Sequence, residues 1–284
     1  MKKMFSIFIF FICFHLTAAK YDYKLSVCMI FQNDAPYLKE WIEFHRLLGV
    51  EHFYLYNNLS TDNYKAVLDP YVKINVVELM EWPFRANNVQ EWDKIQIDAY
   101  NDALKKAKKK SKWLANLDSD EFLFPTASND LRKFFSNYEK ISGVGGVCVN
   151  WVVYGTSGVD KIPDNKLLIE TLVYSSAAGS DHYKSVFRPK RVSHVCSPHY
   201  VIYKKGYVHC TPSNKPVNGP FIEINDVRIN HYWSRDEWYL NNVKIPRRLI
   251  WGTGKDTCKV WSEASNGTYD TSIFRFIEPL RKRM

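Results

Sequence analysis

The chain reads WLANLDSD over residues 113–120, an apolar run that ends in two aspartates separated by one serine. A short apolar run bounded by polar residues is typical of a buried strand. Side chains alternate along extended backbone, so we expect Asp118 and Asp120 to point to the same side. Two carboxylates at a strand end offer the oxygen ligands that Mn²⁺ and Mg²⁺ prefer. The stretch therefore predicts a buried strand whose C-terminal end holds a divalent cation.

The residues before this stretch alternate between strand-like and helical patterns. Strands are predicted at residues 25–31, 52–56 and 74–79, and helices at residues 37–48, 88–110 and in a short segment that ends at Leu68. Gly49 is expected to end the first helix, and Pro70 is expected to stop the second. A regular alternation of strands and helices predicts an α/β fold, in which helices flank a mostly parallel sheet.

Polar residues follow three of the four predicted strands. These polar clusters are Gln32-Asn33-Asp34, Asn57-Asn58 and Asp118-Ser119-Asp120. Ligands of parallel sheets bind beyond the carboxyl ends of the strands. The pattern therefore places the polar chemistry of the chain on one edge of the sheet.

The second half of the chain shows shorter elements. We predict a short helix at residues 131–135, a strand at 144–149, short strands and turns over 167–207, a strand at 226–229, and helices at 235–243 and 271–280. No low-complexity linker and no internal repeat interrupts the sequence. Residues 24–284 are therefore expected to form one domain, whose C-terminal part covers and completes the first half.

The N-terminus has the three parts of a secretory signal peptide. Lys2 and Lys3 precede an apolar run over residues 4–16, and small residues at 17–19 offer a cleavage site. This apolar run is too short for a comfortable membrane span. Residues 1–19 are therefore predicted to be a signal peptide, and an uncleaved signal anchor is the alternative. We expect the secretory pathway, lumenal or exported, with membrane association if the leader is retained.

The formal net charge is +9, and part of the excess lies at the end of the long predicted helix. These cations are Lys105, Lys106, Lys108, Lys109, Lys110 and Lys112. Cations near a helix C-terminus are favourable by themselves, and no nucleic-acid motif accompanies them. We therefore expect no nucleic-acid partner, and instead a solvated lysine face that attracts anionic donors or membrane surfaces.

Six cysteines occur, one of them within the predicted leader. Cys28 and Cys148 lie in apolar strand-like runs and are expected to be small core residues. Cys196 and Cys210 flank a predicted hairpin, and they could form a disulfide in an oxidising compartment.

Several short blocks stand in order along the chain. They are CMIFQND (28–34), YLKEW (37–41), His45, LGV (48–50), HFYLYNN (52–58), STD (60–62), DSDEFL (118–123), NW (150–151), GTSG (155–158), KSVFRP (184–189), NHYWS (230–234) and DTSI (270–273). In these blocks the chain resembles glycosyltransferase family 92 over nearly all of its length after the leader. The resemblance implies a Rossmann-type GT-A fold and a metal-dependent, inverting transfer of a hexose.

The same resemblance implies the substrates. The donor is expected to be a nucleotide-diphosphate sugar, with a UDP-sugar favoured, and the acceptor a glycan. Two loops depart from the family pattern. The first usually reads Lys-Asn-Glu where this chain has Gln32-Asn33-Asp34, and the second often has Asp in place of Asn57. These departures could alter the nucleotide preference.

The resemblance also implies positions for donor binding. Asn33, Asp34 and Asn58 are expected to border the nucleoside, and Gln96 and Asn101 on the long helix are expected to face the donor. The C-terminal half adds further polar candidates: His231 as third metal ligand, and Lys184 and Arg188 as diphosphate ligands. A neutral imidazole is an apt ligand for Mn²⁺, and the i, i+4 spacing of the two cations puts them on one strand face.

An inverting transfer needs a base that takes the proton of the acceptor hydroxyl. Glu170 is the predicted base, because it recurs in the family pattern after Gly158. Other carboxylates stay open for this role: Asp160, Asp181, Asp236 and Glu237. Candidates for stacking on the acceptor are Trp151, Tyr154 and Trp233.

Two other functions are compatible with parts of the sequence. A secreted carbohydrate-binding or catalytically degenerate protein would keep the fold without turnover. The unusual donor loops favour this alternative. The scarcity of nucleotide sugars outside the cytosol favours it too, except in a secretory lumen that imports them. A metal-dependent phosphate-ester hydrolase is disfavoured, because the clustered histidines common in such sites are missing from the sequence. Binding that depends on nucleotide separates the transferase from the carbohydrate-binding protein.

Overall fold

A computed structural model of the chain describes residues 21–284, so the predicted leader at residues 1–19 lies outside the described residues. The first half forms strands β1 (Tyr23–Phe31), β2 (His52–Asn57), β3 (Val77–Glu81) and β4 (Ser111–Asn116), with helices α1 (Ala35–Leu47), α2 (Tyr64–Lys73) and α3 (Val89–Lys110) between them. The four strands pair in parallel in the order β3-β2-β1-β4. The predicted alternation of strands and helices is confirmed.

Helix α2 differs from the prediction, because it continues through Pro70 to Lys73. Proline in a helix removes one backbone hydrogen bond. Leu68 and Tyr71 are both buried on the face that packs against α1. We attribute the continuation of the helix to this burial, which offsets the lost hydrogen bond.

The second half extends the same sheet and adds two small ones. Its strands are β5 (Glu121–Pro125), β6 (Val144–Val153), β7 (Tyr174–Ser175), β8 (Tyr183–Phe187), β9 (Val192–Val195), β10 (Val201–Tyr203), β11 (Val208–Cys210), β12 (Val227–His231) and β13 (Thr268–Tyr269). In the described part of the chain, the large sheet continues from β4 through β8, β6 and β12 to β5, with β11 paired to β6. Strand β8 is antiparallel to both neighbours, and β5 is antiparallel to β12. The α/β fold with a mostly parallel sheet is thus confirmed.

The helices of the second half are short. They are α4 (Leu131–Ser136), α5 (Leu168–Thr171), α6 (Glu237–Tyr239), α7 (Ile245–Ile250), α8 (Lys255–Ala264) and α9 (Ile277–Arg281). The helix predicted at residues 235–243 is present but longer: α6 continues without a break through a π-helical turn, Leu240–Lys244, into α7. A wide π turn of this kind is frequent at functional sites. No helix in the described range is both long and apolar enough to cross a bilayer.

Strand β1 is buried on both faces. Leu25, Val27 and Met29 pack into the core on the α1 side of the sheet, whereas Cys28 and Ile30 pack with α3 on the other side. With both faces covered, the chain can offer a ligand only an edge of this sheet. The proposed disulfide is not formed, because Cys196 and Cys210 are both free thiols. The Cys196 thiol donates to the carbonyl of Tyr200, and that of Cys210 to the carbonyl of Gly146.

Candidate active site

A cavity of about 220 Å³ opens at the carboxyl ends of β1 and β4. Its walls come from the loop after β1, the first half of α3, the loop after β4, the end of β12 and the segment that contains α7. Five of the predicted site residues line it: Asp34, Gln96, Asp118, Asp120 and His231. The structure therefore brings the polar clusters of two strand ends together with a residue that lies more than a hundred positions later.

Asp118 is held from three directions. Its Oδ1 accepts hydrogen bonds from Gln96 at 2.9 Å and from the Tyr100 hydroxyl at 3.2 Å, both on one face of α3. Its Oδ2 lies 2.8 Å from Nζ of Lys184, a residue of β8. Burial by itself would raise the pKa of the Asp118 carboxyl, but the charge of Lys184 outweighs burial and lowers it. Asp118 is therefore ionised, and both of its oxygens are in use.

Asp120 faces a different set of partners. Its Oδ2 lies 3.0 Å from Nζ of Lys244, and its Oδ1 lies 3.4 Å from Nε2 of His231. The antiparallel pairing of β12 with β5 places His231 opposite Glu121, which explains its position beside the loop. Burial opposes ionisation of Asp120, yet Lys244 and His231 hold the pKa of its carboxyl well below the usual range.

The expectation that the two aspartates share one side of a strand is corrected by this geometry. Strand β4 ends at Asn116, and residues 117–120 form a turn in which the Asp118 N–H donates to Oε2 of Glu121. The alternation of side chains along extended backbone does not apply in such a turn. Asp118 and Asp120 still line the same cavity, but they contact different cations.

A buried contact between Lys184 and Glu121 lies beneath the turn. Nζ of Lys184 lies 3.5 Å from Oε2 of Glu121, and both side chains are fully buried. Burial lowers the pKa of the Lys184 ammonium, but Asp118 and Glu121 outweigh burial and raise it. Lys184 does not line the cavity, so the structure does not place it where diphosphate is predicted to bind. Its ammonium pairs with Asp118 and lies against Glu121, whose carboxyl pKa is raised well above the usual range by burial.

A second ionic cluster joins the loops after β1 and β4. Arg235 donates to Oδ1 of Asp34 and to Oγ of Ser119, both at 2.9 Å, and Ser119 donates to Oδ2 of Asp34 at 2.9 Å. The guanidinium lies between the rings of Tyr37 and Tyr239, 3.7 and 4.3 Å from their centroids. Stacking and paired hydrogen bonds of this kind need the planar fork of arginine. Asp34 thus lines the cavity as part of a fixed scaffold.

Three cations on one helical face form the basic wall of the cavity, and the first of them contacts Asp120. They are Lys244, Arg247 and Arg248. Arg248 lies over the ring of Trp251, which in turn stacks on Trp92 of α3 at 5.7 Å. The sequence reasoning missed this wall, although the i, i+3, i+4 spacing of its charges would have revealed a basic face on a continuous helix.

Other predicted donor residues lie away from this cavity. Asn58 donates to the carbonyls of Trp82 and Phe84, and it lines a neighbouring cavity of about 410 Å³. Both cavities share Gln32, Trp92, Arg247 and Trp251 as lining residues. Asn33 adopts a left-handed conformation with φ of 55°, and its side chain accepts from the Thr61 N–H. Asn58 and Asn33 therefore shape the loops beside the main cavity.

The structure does not bring Asn101, Arg188 or Glu170 to the cavity. Asn101 exchanges two hydrogen bonds with the backbone of Val195, and Arg188 donates to the carbonyl of Glu139. Strand β8 ends at Phe187, so Arg188 does not share its face with Lys184. These three side chains make contacts outside the cavity, so the structure does not place them at the predicted site.

Glu170, the predicted base, makes its contacts at the start of α5 and with Arg281, outside the cavity. Its Oε1 accepts from the Leu167 N–H at the start of α5, and its carboxylate pairs with Arg281 at 2.6 Å. The other carboxylates left open for the base do not line the cavity either: Asp160, Asp181, Asp236 and Glu237. Of the proposed stacking residues, Trp151 and Trp233 line it, whereas Tyr154 is fully buried in the core.

The residues at Asp120 fit a divalent ion. Burial lowers the pKa of the His231 imidazole despite the nearby Asp120, so this ring is neutral at neutral pH, as a metal ligand must be. The 3.4 Å between its Nε2 and Oδ1 of Asp120 is close to the roughly 3 Å between adjacent ligands of an octahedral ion.

Asp118, the other predicted metal ligand, does not fit in the same way. Within residues 21–284, no three His, Cys, Asp or Glu side chains form a cluster that could hold a metal ion. Oδ1 of Asp118 already accepts two hydrogen bonds, from Gln96 and Tyr100, and Oδ2 pairs with Lys184. Oδ1 of Asp120, by contrast, contacts only the neutral His231. A site here would therefore take two ligands from the protein and the rest from water or phosphate, an arrangement that Mg²⁺ commonly uses.

Comparison with known proteins identifies the family. The model of glycosyltransferase family 92 matches residues 23–248. A glycosyltransferase family 92 protein of Arabidopsis thaliana is 30% identical over 239 residues, which cover 80% of this chain and 38% of that protein. The chain belongs to glycosyltransferase family 92.

Two further similarities have a more limited extent. The β-1,4-galactosyltransferase galt-1 of Caenorhabditis elegans is 31% identical over 137 residues, 45% of this chain and 31% of that protein. Among solved structures, S. aureus TarS with UDP-GlcNAc superposes with a TM-score of 0.39 at 12% identity, over 85% of this chain and 71% of that one. The chain spans less than two fifths of the length of the curated relatives given above.

Proposed function

We propose that the chain transfers a hexosyl group from a nucleotide-diphosphate sugar to a hydroxyl of a glycan acceptor. One observation carries the proposal: the ionised Asp120 and His231 line the same cavity at the strand ends as three cations, Lys244, Arg247 and Arg248. An acidic wall suits a divalent cation, and a basic wall suits phosphate oxygens. Membership of family 92 and the galactosyltransferase among its relatives support a hexose and favour a UDP-sugar.

In this proposal Asp120 and His231 would hold Mn²⁺ or Mg²⁺. The bound ion would act as a Lewis acid that offsets the negative charge of the departing diphosphate. Asp118 keeps its hydrogen bonds to Gln96 and Tyr100 and adds negative charge beside the ion.

The basic wall would bind the diphosphate. Arg247 and Arg248 present guanidinium groups, whose planar geometry suits phosphate oxygens. The nucleoside would extend toward the neighbouring cavity, where Gln32 and Asn58 lie at the ends of β1 and β2. Parallel sheets bind nucleotides in the crevice at this position.

The acceptor would enter on the side of β6, where Trp151 and Trp233 line the cavity. Aromatic rings of this kind offer large apolar faces to a sugar. Direct attack of the acceptor hydroxyl on the anomeric carbon would invert its configuration. We further propose that the protein works in a secretory lumen that imports nucleotide sugars, which fractionation and N-terminal sequencing would test.

Thermal unfolding with a panel of nucleotides tests the function. We expect UDP with Mn²⁺ to raise the unfolding temperature, and Asp120→Ala to abolish this increase. A panel of UDP- and GDP-sugars with Mn²⁺ would then identify the donor by release of the nucleotide. Glycan binding that is indifferent to nucleotide and metal would contradict the proposal and favour a carbohydrate-binding protein.

A further inference from the structure

The two ends of the cavity differ in what they offer a substrate. At one end, the loop after β1 and the first half of α3 supply Gln32 and Trp92, which the neighbouring cavity shares. At the other end, β6 and the segment after β9 supply Trp151 and His199. If the nucleoside binds at the first end, the sugar and acceptor reach the second, beyond Asp120. The group that deprotonates the acceptor must therefore lie at the second end.

Four carboxylates line the cavity in the described part of the chain: Asp34, Asp93, Asp118 and Asp120. Three are bound to buried cations, Arg235, Lys184 and Lys244 respectively. The side chain of Asp93 makes no hydrogen bond or ion pair within residues 21–284, but Asp93 lies on α3 next to Trp92, at the nucleoside end. None of the four is a free acceptor of protons at the acceptor end.

His199 has the geometry of a proton acceptor at that end. Its Nδ1 lies 3.3 Å from the carbonyl oxygen of Tyr183. A carbonyl can only accept, so Nδ1 carries the ring proton and Nε2 carries the lone pair. The ring packs edge-on against Trp151, with centroids 5.2 Å apart. A ring oriented by its second nitrogen is the arrangement that general-base catalysis requires.

The backbone around His199 is fixed. Its N–H donates to Oγ of Ser197 at 3.2 Å, and its carbonyl accepts from Oγ of Ser185 on β8 at 3.0 Å. The ring is thus positioned by contacts on both sides of the residue. A catalytic side chain needs such support to stay in reach of its substrate.

Burial, with a contribution from Lys184, keeps the ring of His199 neutral. Burial and the nearby Lys184 of β8 lower the pKa of the imidazole to about 4, whereas Asp118 opposes them, and His182 adds a small lowering. The ring is therefore unprotonated at neutral pH. A bound diphosphate would bring negative charge to the cavity and raise this pKa toward neutrality, which strengthens the ring as a base.

We propose that His199 is the general base of the transfer, an inference that rests on the proposed function. The acceptor hydroxyl oxygen forms a bond to the anomeric carbon while the bond from that carbon to the phosphate oxygen breaks. The nucleoside diphosphate leaves with the electron pair of the broken bond. The hydroxyl proton moves to Nε2 of His199, which becomes an imidazolium ion.

The test uses His199→Ala and His199→Gln with His194→Ala as matched control. His194 is an exposed histidine of β9, outside the cavity. We expect both His199 variants to lose about 10² to 10⁴ in kcat, the range for loss of a general base. UDP affinity with Mn²⁺ should change less than about threefold, since a base contributes to the transition state and not to nucleotide binding.

Chemical rescue separates catalysis from structure. Added imidazole should restore transfer by His199→Ala, and it should leave His194→Ala and the wild-type protein unchanged. Wild-type turnover together with a fully active His199→Ala would overturn this inference alone. An Asp93→Asn variant that loses kcat while His199→Gln keeps it would also overturn it and place the base on α3. A wild-type protein that neither binds UDP nor releases it would overturn the proposed function as well.

Discussion

Nζ of Lys244 lies 3.0 Å from Oδ2 of Asp120, although the two residues are 124 positions apart in the sequence. Lys244 ends the π-helical turn, and Asp120 ends the turn after β4. Burial lowers the pKa of the Lys244 ammonium, and Asp120 opposes this shift. The contact therefore joins the C-terminal basic segment to the acidic wall of the cavity.

Lys244→Met should destabilise the metal-free protein and increase its response to Mn²⁺. Removing one partner of a buried pair leaves an uncompensated charge, which costs about 3 to 5 kcal/mol. Mn²⁺ should then raise the unfolding temperature of Lys244→Met more than that of the wild type, because no ammonium competes for Asp120. Lys255→Met, at an exposed position of α8, is the control. Equal metal-free stability and equal Mn²⁺ shifts would contradict the prediction.

Arg235→Lys should weaken the scaffold of the site although it conserves the charge. The ammonium group of lysine has no planar face that could stack between Tyr37 and Tyr239. It therefore cannot stack there and at the same time donate hydrogen bonds to Asp34 and Ser119. We expect the free energy of unfolding to fall by about 1.5 to 3 kcal/mol, the value of hydrogen bonds to a charged group. Chemical denaturation measures this fall.

Arg132→Lys provides the comparison for Arg235→Lys. Arg132 is about one-third exposed and pairs with Asp130 at 2.9 Å and with Glu51 at 3.0 Å. Exposed ion pairs contribute at most about 1 kcal/mol, so the change should be small. A loss for Arg235→Lys no larger than that for Arg132→Lys would show that the stacked cluster is not required.

The stability of the protein should fall between pH 4.5 and 7 because of Glu40. Burial raises the pKa of its carboxyl to about 7, even though the N–H groups of Leu168 and Ile169 donate to it. The unfolded chain releases this proton near the ordinary pKa of 4.5, so the folded state binds more protons in this window. Stability is therefore lost as the pH rises through it, on the order of 2 to 3 kcal/mol.

Glu40→Gln isolates this contribution. The variant has no titrating carboxyl at this position, so its unfolding free energy should vary less between pH 4.5 and 7 than that of the wild type. Glu263→Gln, at an exposed position of α8, should keep the wild-type slope. Identical slopes for the wild type and Glu40→Gln would contradict the shift of this pKa.

The sequence predicts the first half of the fold well, because the relevant signals are local. Apolar runs mark β1 to β4, and polar residues mark the strand ends that form the cavity. His231 could be predicted as a metal ligand because the resemblance to family 92 implies a ligand at this position. These signals depend on residue type and spacing along a few turns of chain.

The ion pairs of the site could not be predicted, because they join distant residues. The residues next to Lys184 in the sequence do not indicate that it pairs with Asp118. Asp34 pairs with Arg235, which lies 201 positions later in the sequence. Glu170 was assigned by family pattern, and only the structure shows Arg281 beside it. Burial and pairing arise from tertiary packing, so charge type alone did not separate a catalytic carboxylate from a structural one.

The most direct test of the account is the rate at which UDP is released from a UDP-sugar with Mn²⁺ present, for the wild type and for Asp120→Asn. The account predicts release that requires the metal and falls at least about 100-fold in the variant, since the ion offsets the charge of the leaving diphosphate. Release that persists in EDTA, or an Asp120→Asn variant as fast as the wild type, would contradict it.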